Sequence, residues 1–256
     1  MSRYFIKLAF KGTRYAGWQI QDNAVAVQEL LNNALQTLLK QDMVTIGCGR
    51  TDTGVHARQF YVHFDSTVNL EDDFKFVHRL NSILPDDIVV YEWFKVDANA
   101  HARFDAISRT YEYFISLNKD PFLKEFAMNG YGTYEMDAML SGTKYLIGER
   151  DYSSFSKSNT QVKTNICDIK NASWDKRGDV LVFTITANRF LRGMVRAIVG
   201  TMLEVGTGKL QPHAVADIIS SGQRSNAGVT VPACGLYLTE IRYPYIKQVL
   251  TNNFPC

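Results

Sequence analysis

The chain has 256 residues, 46% of them hydrophobic, which excludes a disordered chain and allows one large domain or two small ones. Its 28 basic and 26 acidic residues give a formal charge of +2, so a surface for a polyanion has to be a local patch. The four cysteines, Cys48, Cys167, Cys234 and Cys256, are far apart with no C-x-x-C pair, which argues against a zinc site or redox dithiol and fits free thiols in a reducing cytosol.

Tyr4 to Phe10 is short, aromatic and closed by Gly12, and predicts a first strand. Its apolar run is broken by Lys7, and no stretch approaches the roughly 20 apolar residues of a membrane span, so a soluble cytoplasmic protein without a targeting segment is expected. Val27, Leu30, Leu31, Ala34, Leu35, Leu38 and Leu39 recur at helical spacing. Phe60, Val62 and Phe64 alternate with Gln59, Tyr61 and His63, the period of a strand with one buried face. A second helix is expected from Asp72 to Leu84, ended by Pro85, and a strand from Ile88 to Val96.

The pattern starts again near Tyr111, where Tyr111, Tyr113, Ile115 and Leu117 share the parity of a half-buried strand. A weaker helix follows from Asp137 to Ile147, then strands from Val162 to Ile169 and Val180 to Thr186. A strong helix from Phe190 to Val205 is stopped by Gly206 and Gly208, Pro212 opens a short helix, and Gly235 to Tyr243 closes as a strand. Element order thus repeats, and an α+β fold is expected. It would have two pseudo-symmetric halves, 1–104 and 105–256, each a mainly antiparallel sheet with helices on one face. The active-site cleft would lie between them.

The stretch Gly47-Cys48-Gly49-Arg50-Thr51-Asp52-Thr53-Gly54-Val55-His56-Ala57 interrupts this patterning with three glycines, which permit positive φ and close approach of a ligand. A carboxylate at Asp52, two residues from the Arg50 guanidinium, suits a nucleophile that needs no separate base. The same residues also suit a turn cap and a surface ion pair. His56 reads as structural, because a metal pair with Asp52 would lack its third and fourth ligands. At about 100° per residue, Arg189, Arg192 and Arg196 would fall within roughly a 60° arc of one helix face, aimed at phosphates or at Asp52.

Gly49-Arg50-Thr51-Asp52-x-Gly-Val-His56-Ala57 closely resembles the catalytic signature of the tRNA pseudouridine synthase A family. Tyr15-Ala16-Gly17-Trp18-Gln19, Val27-Gln28, Leu84-Pro85-Asp86-Asp87-Ile88, Ala102-Arg103-Phe104, Ala187-Asn188-Arg189-Phe190-Leu191, Met194-Val195-Arg196 and Gly235-Leu236-Tyr237-Leu238 resemble further family blocks in the same order, covering nearly the whole chain. Thr53 departs from the usual alanine and Glu112 from the usual arginine of an Arg-x-Tyr-Arg-Tyr block. The latter puts the positive charge of that strand in question.

The resemblance implies cofactor-free isomerisation of uridine to pseudouridine at positions 38, 39 and 40 of the tRNA anticodon stem-loop, by a homodimer. Asp52 would be the nucleophile, attacking ribose or base or assisting elimination. Tyr111 would stack on the extruded uracil, Arg196 would partner the carboxylate, and Arg50 would bind substrate. Two other classes compete: an RNA-binding protein without catalysis, which leaves a negative charge in an RNA-facing loop unexplained, and a carboxylate hydrolase, which lacks a second acid or a metal set.

Overall fold

The computed structural model describes residues 1–157 and 163–246. Its elements in chain order are β1 (Ser2–Phe10), α1 (Val27–Leu39), β2 (Ile46–Gly47), β3 (His56–Ser66), α2 (Phe76–Ile83), β4 (Ile88–Val96), β5 (Ser108–Ser116), β6 (Met128–Asn129), α3 (Met136–Thr143), β7 (Gly148–Asp151), β8 (Ile166–Arg177), β9 (Val180–Ala187), α4 (Met194–Gly206), α5 (Ala214–Ser221) and β10 (Leu236–Arg242). Val27 to Leu39 and Ile88 to Val96 coincide with their predicted spans. Each is bounded by a sharp signal: Lys40 in the left-handed region ends α1, and Pro85 precedes β4.

The fold is α+β with a mainly antiparallel sheet, and that sheet is continuous. Its order is β4-β1-β3-β10-β5-β9-β8-β7. The C-terminal strand β10 returns to the middle, where it pairs parallel with β3 (Tyr237 with His56, Leu238 with Ala57) and antiparallel with β5. Two apolar cores lie along this sheet. One gathers β1, α1, β3, α2 and β4 around Leu31, Leu35, Phe60 and Phe76; the other gathers β5, β8, β9, α3, α4 and α5 around Tyr113, Phe183, Ile198 and Met202. Tyr111 packs against both.

Several local expectations change, among them the helix expected over Asp72–Leu84, which spans Phe76–Ile83, and the helix expected over Asp137–Ile147, which spans Met136–Thr143. Tyr61 and His63 are as buried as Phe60 and Val62, so β3 has two covered faces: Tyr243 packs edge-on against Tyr61, and His101 against His63. The strand predicted from Val162 begins at Ile166, Val162 itself lying outside the described residues, and runs on to Arg177. Pairing with β9 satisfies its backbone through the polar stretch Lys170 to Arg177, and Gly178 at φ 60 makes the hairpin turn. The helix predicted from Phe190 begins at Met194, because Gly193 at φ 71 is left-handed and cannot continue a right-handed turn.

Candidate active site

Asp52 lies in the loop between β2 and β3, near the centre of the sheet, and main-chain contacts fix that loop. Gly54 at φ 79 donates its N–H to the Tyr15 carbonyl at 3.2 Å, and Val55 donates to the Asp52 carbonyl at 3.2 Å. Gly17, at φ 87, lies so close that a Cβ there would stand 2.1 Å from the Thr51 carbonyl oxygen; one at Gly12 would stand 1.9 Å from that of Val55. The close approaches of the loop are therefore made by glycines of the preceding segment. Of the loop's own glycines only Gly54 has positive φ; Gly47 is required by the Trp18 ring, 2.5 Å from where its Cβ would be, and Gly49 has open space.

His56 is structural, as its sequence context suggested. It is buried, accepts the Gly12 N–H at Nδ1 (3.1 Å), faces the Glu125 and Cys234 carbonyls through Nε2 (3.1 Å each), and stacks on Tyr237 at 4.6 Å. These partners define a neutral ring with its proton on Nε2, and burial lowers its pKa.

The cations on Asp52 come from the other half of the chain. Arg196 Nη1 is 3.4 Å from one carboxylate oxygen and Arg192 Nε 3.9 Å from the other. The side chain of Arg196 is 19% exposed and also donates through Nε to the Val231 carbonyl at 2.7 Å, whereas that of Arg192 is 59% exposed. Arg196 is on α4, held close to residues 228–231 because Gly200 leaves no room for a Cβ beneath the Val229 carbonyl. Arg192 and Arg189 precede the helix, so the expected three-arginine helix face does not form. The turn at Leu191 to Met194 brings Arg192 to Asp52 instead. Arg50 is exposed and forms no ion pair among the described residues, so it is not the partner of Asp52.

Tyr111, the fourth residue of β5, is half-buried and meets Phe190 edge-on at 5.1 Å. Burial, with Cys48 and Asp52 nearby, raises its phenol above the ordinary value, so at neutral pH it is an O–H. Glu112 next to it points to the opposite face of the sheet and pairs with Arg177 at 3.2 Å. Its departure from arginine therefore does not alter the charge beside Tyr111.

Sequence reasoning missed Arg109. Its two terminal nitrogens donate to the carbonyls of Ala106 (3.0 Å), Asn188 (2.7 Å), Cys48 (2.9 Å) and Arg103 (2.6 Å). Its place as the first arginine of the Arg-x-Tyr-Arg-Tyr block could have singled it out, but not what it holds, because its partners are main-chain atoms remote in sequence. Arg103 in turn has Arg50, Arg109 and Arg189 nearby; burial and these neighbouring cations lower its pKa. Cys48, Cys167 and Cys234 are free thiols, and Cys256 lies outside the described residues. Among the described residues no cluster of His, Cys, Asp and Glu could hold a metal, and no helix is long and apolar enough to cross a membrane.

A family model described as tRNA pseudouridine synthase matches residues 143–244. The tRNA pseudouridine synthase A of Parabacteroides distasonis is 46% identical over 244 residues, covering 95% of this chain and 97% of the relative. That of Bacteroides thetaiotaomicron is 47% identical over 247 residues, with 95% and 91% covered. The Brevibacillus brevis protein of the same name is 40% identical, with 95% and 100% covered. Across that full-length similarity, the chain belongs to the tRNA pseudouridine synthase A family.

Proposed function

We propose that this chain isomerises uridine to pseudouridine in tRNA, at positions 38, 39 and 40 of the anticodon stem-loop, with Asp52 as the nucleophile and without a cofactor. The observation that carries the reading is the placement of Asp52: a half-buried carboxylate between Arg192 and Arg196, beside the half-buried ring of Tyr111. Here two glycines outside the loop are committed to its geometry.

In the reaction the glycosidic carbon–nitrogen bond breaks, the uracil turns within the site, and a carbon–carbon bond forms in its place. The hydrogen lost from the ring carbon is balanced by the one gained at nitrogen. A carboxylate can attack ribose or base or assist elimination, and Arg196 holds it in orientation for each of these. The target base must first leave its stack, at a cost of a few kcal/mol. The face of Tyr111 offers a platform for it, with stacking of about 1 to 3 kcal/mol per base in return. Its hydroxyl is available as a donor to the rotating ring.

Arg50, Arg103 and Arg189 form no ion pair with a carboxylate among the described residues and would track the phosphates. Two halves, 1–104 and 105–256, meet at the central β3–β10 pair in this reading, one supplying the nucleophile and the other its cations. A homodimer in the cytosol completes it, since a stem-loop is larger than one half of the chain.

Asp52→Asn tests the assignment. The amide keeps the size and the turn-capping oxygen, so melting temperature and retention of tRNA on a filter should change little. Pseudouridine content after long incubation of an unmodified transcript should fall by orders of magnitude. Substantial turnover by the folded variant would refute Asp52 as nucleophile, and binding without turnover in the parent would leave an RNA-binding protein.

A further inference from the structure

Arg109 is half-buried, on the same face of β5 as Tyr111, and all four hydrogens of its two terminal nitrogens are directed at main-chain carbonyls. No carboxylate pairs with it among the described residues. A guanidinium so saturated has no donor fork left for a phosphate, in contrast to its neighbours Arg50, Arg103 and Arg189.

The positions of the four carbonyls give this arrangement its meaning. Cys48 opens the loop that carries Asp52, and its own N–H is fixed on β3 by the Tyr61 carbonyl at 2.8 Å. Asn188 opens the segment that carries Arg192, and it is fixed on β8 by reciprocal bonds with Asp168 at 2.9 and 3.1 Å. Arg103 and Ala106 belong to the basic turn before β5. Asp52 is four residues beyond Cys48 and Arg192 four residues beyond Asn188, so one side chain holds the starting points of both arms of the Asp52–Arg192 pair.

We propose that Arg109 is a positioning residue for catalysis: it sets the separation of the carboxylate arm and the guanidinium arm, and contributes no contact to RNA. The proposal rests on the reading of Asp52 as nucleophile. Removing the fork lets the two arms drift independently, and a misplacement of about 1 Å at a reacting group can cost roughly 10²-fold in rate.

The test compares Arg109→Ala, Arg109→Lys, Asp52→Asn and the parent under single turnover with a saturating unmodified tRNA transcript, alongside filter-binding Kd as salt is varied. For Arg109→Ala the expected result is a rate lowered roughly 10²-fold, with Kd and its salt slope as in the parent. Methylguanidine at millimolar concentration should restore part of the lost rate by reoccupying the four carbonyls, and the loss of rate at unchanged Kd and salt slope is what a general structural defect would not give. Arg109→Lys keeps the charge but cannot span four carbonyls; it should also be slow at unchanged affinity, and it carries the test if Arg109→Ala does not fold. A parental rate in a folded Arg109 variant, a slow Arg109→Ala that methylguanidine does not restore, or a flattened salt slope would each overturn the proposal. An active Asp52→Asn would instead overturn the underlying reading, whatever Arg109 does.

Discussion

On the carboxylate side of the site, residues 47–55 are fixed where main chain meets main chain: Gly17 under Thr51, Gly12 under Val55, and a neutral His56 wedged between the Gly12 amide and two carbonyls. On the guanidinium side, residues 188–196 are fixed by hydrogen bonds and charge: Asn188 on Asp168, Arg109 on Asn188 as it is on Cys48 across the site, Arg196 on Val231, and both Arg192 and Arg196 on Asp52. Steric fixation admits no neighbouring alternative, because interiors are close-packed and a Cβ 2 Å from an oxygen has nowhere to go. Electrostatic fixation is softer and responds to salt and to substitution. Asp52 is thus carried by the sterically fixed side, and Arg192 and Arg196 by the adjustable one.

The sharpest way to break the rigid side is Gly17→Ala. The added methyl would have to displace the Thr51 carbonyl from a position 2.1 Å away and tolerate φ 87, so we expect a loss of about 3 kcal/mol or more, read as a fall in melting temperature. A near-parental melting temperature would show that the loop can shift, and the contrast between the sides would fail.

Acid should act through the two buried histidines of β3. Burial holds His63 at about 4 and also lowers His56, both below the ordinary 6.5. The unfolded chain binds these protons more readily than the folded one, so stability is full above pH 6.5. It should decline as pH falls toward 4, by about 3 kcal/mol for His63. Thermal melts across that range check this, and His63→Gln should flatten the decline; an unchanged decline would place its cause elsewhere.

On the softer side, Arg196→Ala should lower turnover by roughly 10- to 100-fold, since it removes a charged hydrogen bond to Asp52 and leaves the Val231 carbonyl without its donor. Arg192→Ala should do less to turnover, its contact being exposed and 3.9 Å long. If it also touches a phosphate, the logarithmic salt slope for tRNA should flatten by about one. Equal losses of turnover in the two variants would mean that burial does not rank these cations.

Tyr111→Phe and Tyr111→Leu separate the ring from the hydroxyl: the first should keep tRNA affinity, and the second should lose about 1 to 3 kcal/mol of it. Parental turnover by both variants would make Tyr111 a packing residue at the junction of the two cores.

Local sequence determined the regular elements whose signals are local. The apolar spacing from Val27 to Leu39 and the run from Ile88 to Val96 appear at their predicted bounds, because periodicity and terminal residues act over a few positions. The motifs also singled out Asp52 and Arg196 as partners, and the fold brings the two within 3.4 Å. Tertiary structure decided the rest. That β10 returns between β3 and β5, making one continuous sheet, that Tyr61 and His63 are covered on the second face, and that Arg192 reaches Asp52 from a turn all depend on partners distant in sequence. Arg109 is the clearest case, since its four acceptors are backbone oxygens. Such atoms are present at every residue, so no side-chain pattern marks which of them a fold will bring within reach.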